Sequence, residues 1–202
     1  MKFNTRELAT LAVFGVLWGI VEISLGTVLK SLRIPLSGAV LGTIGLGIAL
    51  IGRLFVPRRG STLFIGVIAC LLKLFSLGGV VIGPMIGILS EAIIAEMVLS
   101  LSNKPRRLAF MLAGGLGVAW TFVQPFVTNP LLFGRSLMMT WVTMLEQGGR
   151  LLGLGSEAAF LIVISMLAIH LALGGLMGWF AWDVGRQLQT RMGKSPANAI
   201  QT

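Results

Sequence analysis

Ionisable side chains inside apolar segments are the residues of this sequence that can carry chemistry. Glu22, Lys73 and Glu91 each lie within such a segment, where an ionised group costs roughly 2.5 to 3.5 kcal/mol on membrane-insertion scales. A charge that is kept despite this cost pairs with another charge or binds a polar ligand. We therefore expect these three residues to form a binding site, with the alternative that Lys73 only forms a structural ion pair with Glu22 or Glu91.

Other ionisable residues are interpreted differently. Glu96 lies about 140° around its helix from Glu91, which favours packing or a partner contact. His170, in the last apolar segment, is expected to be a neutral, hydrogen-bonded core residue, and Cys70 a core residue. Because the chain has one histidine and one cysteine, a multi-histidine metal site, a zinc cluster and an intramolecular disulfide are excluded.

The composition indicates which environment must position these groups. The sequence is 55% hydrophobic and only 11% charged, whereas a soluble domain has roughly 25% charged residues. A net charge of +9 is compatible with nucleic-acid binding, but the basic residues form short clusters between apolar runs without a recognition motif. The sequence therefore predicts an integral membrane protein that does not bind nucleic acid.

Apolar segments of about 20 residues are needed to cross a bilayer as helices. The sequence predicts an all-α bundle of six transmembrane helices in a single domain, residues 1–202, with spans at 8–29, 38–55, 61–76, 81–101, 107–127 and 156–182. Gly78-Gly79 and Gly83-Pro84 predict a tight turn after the third span. The long connection 128–155 contains an apolar stretch, 136–145, which is too short to span and suits an interfacial or re-entrant helix.

The distribution of lysine and arginine predicts the orientation of the bundle, because cytoplasmic loops carry the excess of basic residues. With both ends inside, the inner segments hold eleven basic residues: Lys2, Arg6, Arg53, Arg58, Arg59, Lys104, Arg106, Arg107, Arg186, Arg191 and Lys194. The outer segments hold four: Lys30, Arg33, Arg135 and Arg150. We therefore expect both termini in the cytoplasm and the segment 128–155 outside.

This orientation places the candidate residues at one depth. Glu22, Lys73 and Glu91 fall in the outer half, with Glu157 at the outer rim of the last span. Each of the first three shares a helix face with small residues, so we expect them to point inwards, beneath the segment 128–155. Polar and aromatic residues of the same side are expected to complete the pocket, although each tryptophan is also typical of a membrane interface: Trp120, Gln124, Asn129 and Trp141.

Catalytic signatures are missing from the sequence. It contains no His-Glu-x-x-His helix, no Gly-x-Ser-x-Gly elbow and no Gly-x-x-x-x-Gly-Lys-Ser/Thr loop for ATP. We therefore expect a protein that is not an enzyme, carries no cofactor, and depends on another protein or on an ion gradient for any energised transport.

The layout and two local patterns resemble a known family. The stretch Gly83-Pro84-Met85-Ile86-Gly87-Ile88-Leu89-Ser90-Glu91 is similar to the glycine-then-acid pattern of thiamin-related substrate-binding S components of energy-coupling factor (ECF) vitamin importers. The ending Gly174-Gly175-Leu176-Met177-Gly178-Trp179, running into Arg186, is similar to their final helix. The resemblance implies a cell-membrane subunit that captures a vitamin from outside and works with a coupling transmembrane protein and two ATPase subunits.

The first helix departs from the pattern that this resemblance implies. The family couples through an Ala-x-x-x-Ala row, but here Ala9 is followed four residues later by Val13, and Ala12 by Val16. Either Thr5 with Ala9, or Gly15 with Gly19, is expected to substitute for that row.

The charges of the predicted site narrow the ligand without identifying it. Glu22 and Glu91, together with nearby aromatic residues, favour a cationic or aminopyrimidine ligand such as thiamin or its hydroxymethylpyrimidine precursor. Lys73 leaves cobalamin or another vitamin open. A structural or assembly protein of the membrane, with charges that only pair internally, is the alternative from a different class, and a small intramembrane enzyme is disfavoured by the missing motifs.

Overall fold

The computed structural model describes residues 3–32, 34–76, 81–102 and 105–193. In these ranges the regular elements are all helical: α1 Thr5–Ser31, α2 Ser37–Phe55, α3 Ser61–Lys73, α4 Ile82–Leu101, α5 Arg107–Phe133, α6 Leu137–Leu152, a 3-10 turn Ser156–Ala158, and α7 Ala159–Gly193. The predicted Gly78-Gly79 turn lies outside the described residues, as do four of the basic residues used for orientation: Lys2, Arg33, Lys104 and Lys194.

Five of the helices are long and apolar enough to cross a membrane: α1, α2, α4, α5 and α7. They make the chain a multi-pass helical membrane protein. The remaining apolar helix, α3, has 13 residues, which corresponds to a length of about 20 Å. It ends at Lys73 rather than at the predicted residue 76, because the next amides bond three residues back, Leu74 N to Leu71 O and Phe75 N to Leu72 O, as in a tightened final turn.

The segment 128–155, predicted to be a long loop, is instead mostly helical. Helix α5 continues to Phe133 although Pro125 and Pro130 lie inside it, and proline within a helix is tolerated in membrane proteins. Helix α6 then begins after Ser136, whose hydroxyl accepts a hydrogen bond from the Met139 amide at 3.1 Å. It covers 16 residues rather than the ten predicted.

Helix α6 has two distinct faces. Its inner face buries Thr140, Leu145, Gly148 and Gly149 and packs against α5 and α7. The outer face exposes large apolar side chains: Leu137, Met138, Met139, Trp141 and Val142. An apolar face that points away from the protein is typical of a helix that lies in a membrane interface.

Close backbone contacts hold the bundle together around α2, which packs against α1, α3, α4, α5 and α7. The closest approach joins α5 and α7, where a methyl group on Gly114 would overlap the carbonyl oxygen of Gly174, and one on Gly178 would overlap that of Phe110. Since association in lipid depends on close packing, these glycines explain why α5 and α7 share an extensive interface.

Candidate functional site

A cavity of about 360 Å³ lies between α1, α2, α4 and α5. We call it the acidic cavity, because the charged residues of its described lining are Glu22 and Glu91. The described residues of the lining are Glu22, Ser37, Gly38, Leu41, Gly42, Gly83, Pro84, Gly87, Ile88, Glu91, Thr121, Gln124, Pro125, Thr128, Asn129 and Phe133. Four of the sequence-predicted site residues are therefore brought together here: Glu22, Glu91, Gln124 and Asn129.

Glu91 is the most unusual group on this wall. The residue is 4% exposed, and its carboxylate lies against Gly42 of α2, where the missing side chain leaves room for it. Its Oε2 atom has no hydrogen-bond partner among the described residues. A buried carboxylate oxygen without a hydrogen-bond partner is costly, so a proton, or a donor from outside the described chain, would stabilise this atom.

Lys73 pairs with Glu22 in the structure. Its Nζ lies 3.2 Å from Glu22 Oε2 and donates a second hydrogen bond to the Glu22 carbonyl oxygen at 2.6 Å. The two side chains are 4% and 7% exposed, and Lys73 does not belong to the cavity lining. The ammonium group therefore compensates Glu22 internally, whereas Glu91 has no ion-pair partner among the described residues.

Amide and hydroxyl groups of α5 complete the wall. Gln124 Nε2 donates to the Gly83 carbonyl oxygen at 2.8 Å, which fixes the amide and places Oε1 beside Gly87. Asn129 Nδ2 lies 3.4 Å from Thr140 Oγ1. That contact connects the wall of the cavity to α6.

The other predicted site residues lie elsewhere. Trp120 is not part of the lining, and its indole nitrogen is buried without a hydrogen-bond partner among the described residues. Trp141 lies on the exposed face of α6, 38% exposed, with its ring 6.3 Å from that of Phe126. Glu157 is exposed in the 3-10 turn, where its carboxylate folds back on Gly155. Their predicted depth in the membrane placed all three residues near the site. The rotation of the helices and the 3-10 turn instead direct their side chains away from the cavity.

Several lining residues were not among the predicted site residues. Thr121 and Thr128 lie one turn before and one turn after Gln124 on α5. Because residues three or four apart share a helix face, they could have been predicted from the position of Gln124. Trp18, one turn before Glu22 on α1, is not part of the described lining. It is fully buried, and its indole nitrogen packs against Gly45 without a hydrogen-bond partner in the described chain.

The residues predicted to couple to a partner separate into two groups. Thr5 and Ala9 are exposed on α1, and Ala12 is half-buried. Gly15 and Gly19 are buried inside the bundle, because they pack against Ile68 and Leu72 of α3. In the described chain the exposed face of α1 therefore carries Thr5 and Ala9 but not the two glycines.

The remaining suspected residues have structural contacts. Glu96 accepts hydrogen bonds from the backbone amides of Gly60 and Thr62, at the start of α3, and pairs with Arg53 at 3.3 Å. His170 is buried, with Nδ1 2.7 Å from the Met166 carbonyl oxygen. No group of three potential metal ligands occurs among the described residues.

Comparisons of the chain with protein-family models, with curated proteins and with solved structures found no match. The interpretation of the site therefore depends on its own geometry and charge.

Proposed function

We propose that this chain is a membrane-embedded binding subunit of an importer, which captures a small water-soluble vitamin or precursor, cationic or with an aminopyrimidine ring, in the acidic cavity. The observation that carries the proposal is the buried Glu91 carboxylate, which lines a cavity and has an oxygen without a partner in the described chain. An amino group on a ligand would supply the missing hydrogen bond, and a positive charge on the ligand would neutralise the carboxylate. Hydrogen bonds to an ionised carboxylate are among the strong ones.

The dimensions and lining of the cavity agree with a small organic ligand. Its volume of about 360 Å³ falls in the range of roughly 300 to 1,000 Å³ that is typical of ligand pockets. Phe133 offers an aromatic face, while Thr121, Gln124 and Asn129 offer hydroxyl and amide groups. Thiamin or hydroxymethylpyrimidine remains our leading ligand, because an aminopyrimidine presents both a donor edge and a flat ring.

The same proposal includes the membrane, the orientation of the chain and its partners. We place the chain in the cell membrane as a six-span bundle with both termini inside, and with α3 as a short sixth span beside α1 and α4. The solute then enters from the outer side, and α6 lies over that side in the interface. The sequence contains no ATP-binding loop, and we propose that a coupling transmembrane protein and two ATPase subunits supply the energy for transport.

A structural or assembly role is the second candidate, and the ion pairs favour it. Lys73 with Glu22 and Arg53 with Glu96 are buried pairs that need no ligand. This alternative gives no role to the unpartnered oxygen of Glu91. Ligand binding therefore discriminates between the two candidates.

The decisive experiment measures ligand binding to the purified chain in lipid nanodiscs. Native mass spectrometry would first identify any solute that co-purifies, and calorimetric titration would then compare thiamin, hydroxymethylpyrimidine and cobalamin. Glu91→Gln is expected to weaken binding of a cation by at least about tenfold, since a hydrogen bond to a charged group contributes roughly 1.5 to 3 kcal/mol. Glu157→Gln is the matched control, because Glu157 is exposed and lies outside the cavity.

The possible outcomes separate the candidates. Binding that is lost in Glu91→Gln and kept in Glu157→Gln supports capture in the acidic cavity. If the wild-type chain binds none of the three solutes and no solute co-purifies with it, the result would support the structural role. Equal affinity in wild type and Glu91→Gln would show that the site lies elsewhere.

A further inference from the structure

A second cavity, of about 370 Å³, lies near the opposite end of the bundle. Arg53 on its wall is in the last turn of α2, whereas the acidic cavity uses the first turns of that helix. We call it the basic cavity, because the charged residues of its described lining are three arginines. The described residues of the lining are Arg53, Pro57, Arg58, Arg59, Leu99, Ser100, Ser102, Pro105, Ala109 and Phe110.

The buried arginine of this wall is held in place by the protein. The Arg53 side chain is 9% exposed, with Nη1 3.3 Å from Glu96 Oε1. Glu96 is itself fixed by the backbone amides of Gly60 at 2.7 Å and Thr62 at 3.0 Å, and by the Ser100 hydroxyl at 2.6 Å. A guanidinium group has five N–H donors, so the pairing with Glu96 leaves donors of Arg53 for the cavity.

The two other arginines differ in whether an acidic side chain of the described chain pairs with them. Arg58 pairs with Glu7 at 2.9 Å. Arg59 is exposed and has no ion-pair partner in the part of the chain that the structure describes. The described lining of the basic cavity contains no carboxylate. The positive charges of Arg53 and Arg59 therefore repel each other, and a bound anion would relieve that repulsion.

We propose that the basic cavity binds a phosphate group. Guanidinium groups recognise phosphate oxygens through paired hydrogen bonds, and Ser102 belongs to the same lining. The apolar part of the lining, formed by Leu99, Ala109 and Phe110, suits the carbon atoms that adjoin a phosphodiester. The cavity lies near the ends of α2 and α4 and the start of α5. In the membrane orientation of the proposed function this is the level of the lipid head groups, where basic pockets bind anionic lipids. The phosphate is supplied by an anionic phospholipid or by free phosphate.

The test uses the full chain and two probes. Binding of phosphatidylglycerol is measured by native mass spectrometry after exchange from nanodiscs of phosphatidylglycerol and phosphatidylcholine. Binding of inorganic phosphate is measured by calorimetry in nanodiscs of phosphatidylcholine alone. Arg59→Gln is expected to weaken binding of the active probe by about tenfold or more, as for a lost hydrogen bond to a charged group. Because Arg59 is exposed, this variant is expected to keep the fold.

Two further variants make the test specific. Arg186→Gln removes the same charge at the same end of the bundle, since its neighbour Gly185 packs on Leu54, but Arg186 does not line the cavity. It is expected to bind like wild type. Ala109→Met narrows the cavity without changing its charge and is expected to weaken binding as Arg59→Gln does.

Each outcome decides the proposal. Selective retention of phosphatidylglycerol assigns the phosphate to a lipid, and saturable binding of inorganic phosphate assigns it to a free anion. Equal losses in Arg59→Gln and Arg186→Gln would mean general electrostatic attraction and would overturn the site. Failure of the wild-type chain to bind either probe would also overturn it.

Discussion

The carboxylate of Glu91 lies directly against Gly42. A methyl group at position 42 would lie 2.9 Å from Oε1 and 3.0 Å from Oε2, closer than ordinary van der Waals contact. The buried charge on α4 is therefore accommodated by a missing side chain on α2. This relationship makes the position of the carboxylate testable without altering its charge.

Gly42→Ala is expected to displace the Glu91 carboxylate and to weaken binding of a cationic ligand by about tenfold, which corresponds to roughly 1.4 kcal/mol. Gly38→Ala is the matched control, because it also lies on the cavity wall and a methyl group there meets nothing within 4 Å. Calorimetric titration of both variants provides the measurement. Equal affinities in the two variants would contradict a role for the contact between Gly42 and Glu91.

Lys73→Met is expected to destabilise the protein by about 3 to 5 kcal/mol, because it leaves the buried Glu22 carboxylate without its counter-charge. Equilibrium unfolding in detergent micelles would measure the loss. The double variant Glu22→Gln/Lys73→Met is expected to recover much of it, since no uncompensated charge remains. The single variant Glu22→Gln completes the comparison. If the loss in the double variant equals the sum of the losses in Lys73→Met and Glu22→Gln, the two residues are not energetically coupled.

Glu96→Ala is expected to cost about 3 to 5 kcal/mol of unfolding free energy, because Arg53 loses its buried partner and two amides at the start of α3 lose their acceptor. Glu146→Ala is the control: its pair with Arg150 at 3.6 Å is exposed and is worth roughly 0.5 kcal/mol. Similar unfolding free energies for the two variants would contradict the structural role of Glu96.

Gly174→Ala is expected to separate α5 from α7, because the added methyl group would overlap the Gly114 carbonyl oxygen. Gly175→Ala, one residue further on, would meet its nearest atom at 3.8 Å and is expected to be neutral or slightly stabilising, as alanine favours a helix over glycine. Thermal unfolding of both variants compares them directly. A lower midpoint for Gly175→Ala than for Gly174→Ala would contradict the helix packing.

The two cavities give the molecule opposite charges near its two ends. Carboxylates line the acidic cavity, and arginines line the basic cavity. Helix α2 connects them, since Gly42 lies on one wall and Arg53 on the other. The proposed ligands accordingly have opposite charges, a cation and a phosphate, and the variants above test each cavity separately.

The sequence by itself determined the helical membrane character of the chain, because the requirement of lipid for apolar segments of sufficient length is local. It also identified Glu22, Lys73 and Glu91 as buried charges, since an ionisable residue in an apolar run must face inwards. It ended the fifth span at residue 127, whereas α5 continues to Phe133. For Trp120 and Trp141 it predicted a depth but not the direction of the side chain, and neither residue lines the acidic cavity.

Only the tertiary structure decided how these charges are paired. The sequence left Lys73 equally free to meet Glu22, Glu91 or a ligand, and the packing of α3 against α1 places it on Glu22. It likewise could not show that Glu91 faces Gly42, or that Arg53 and Arg59 share a cavity. Such relationships depend on helix rotation and on close approach between segments far apart in the chain, which the spacing of residues along one helix does not specify.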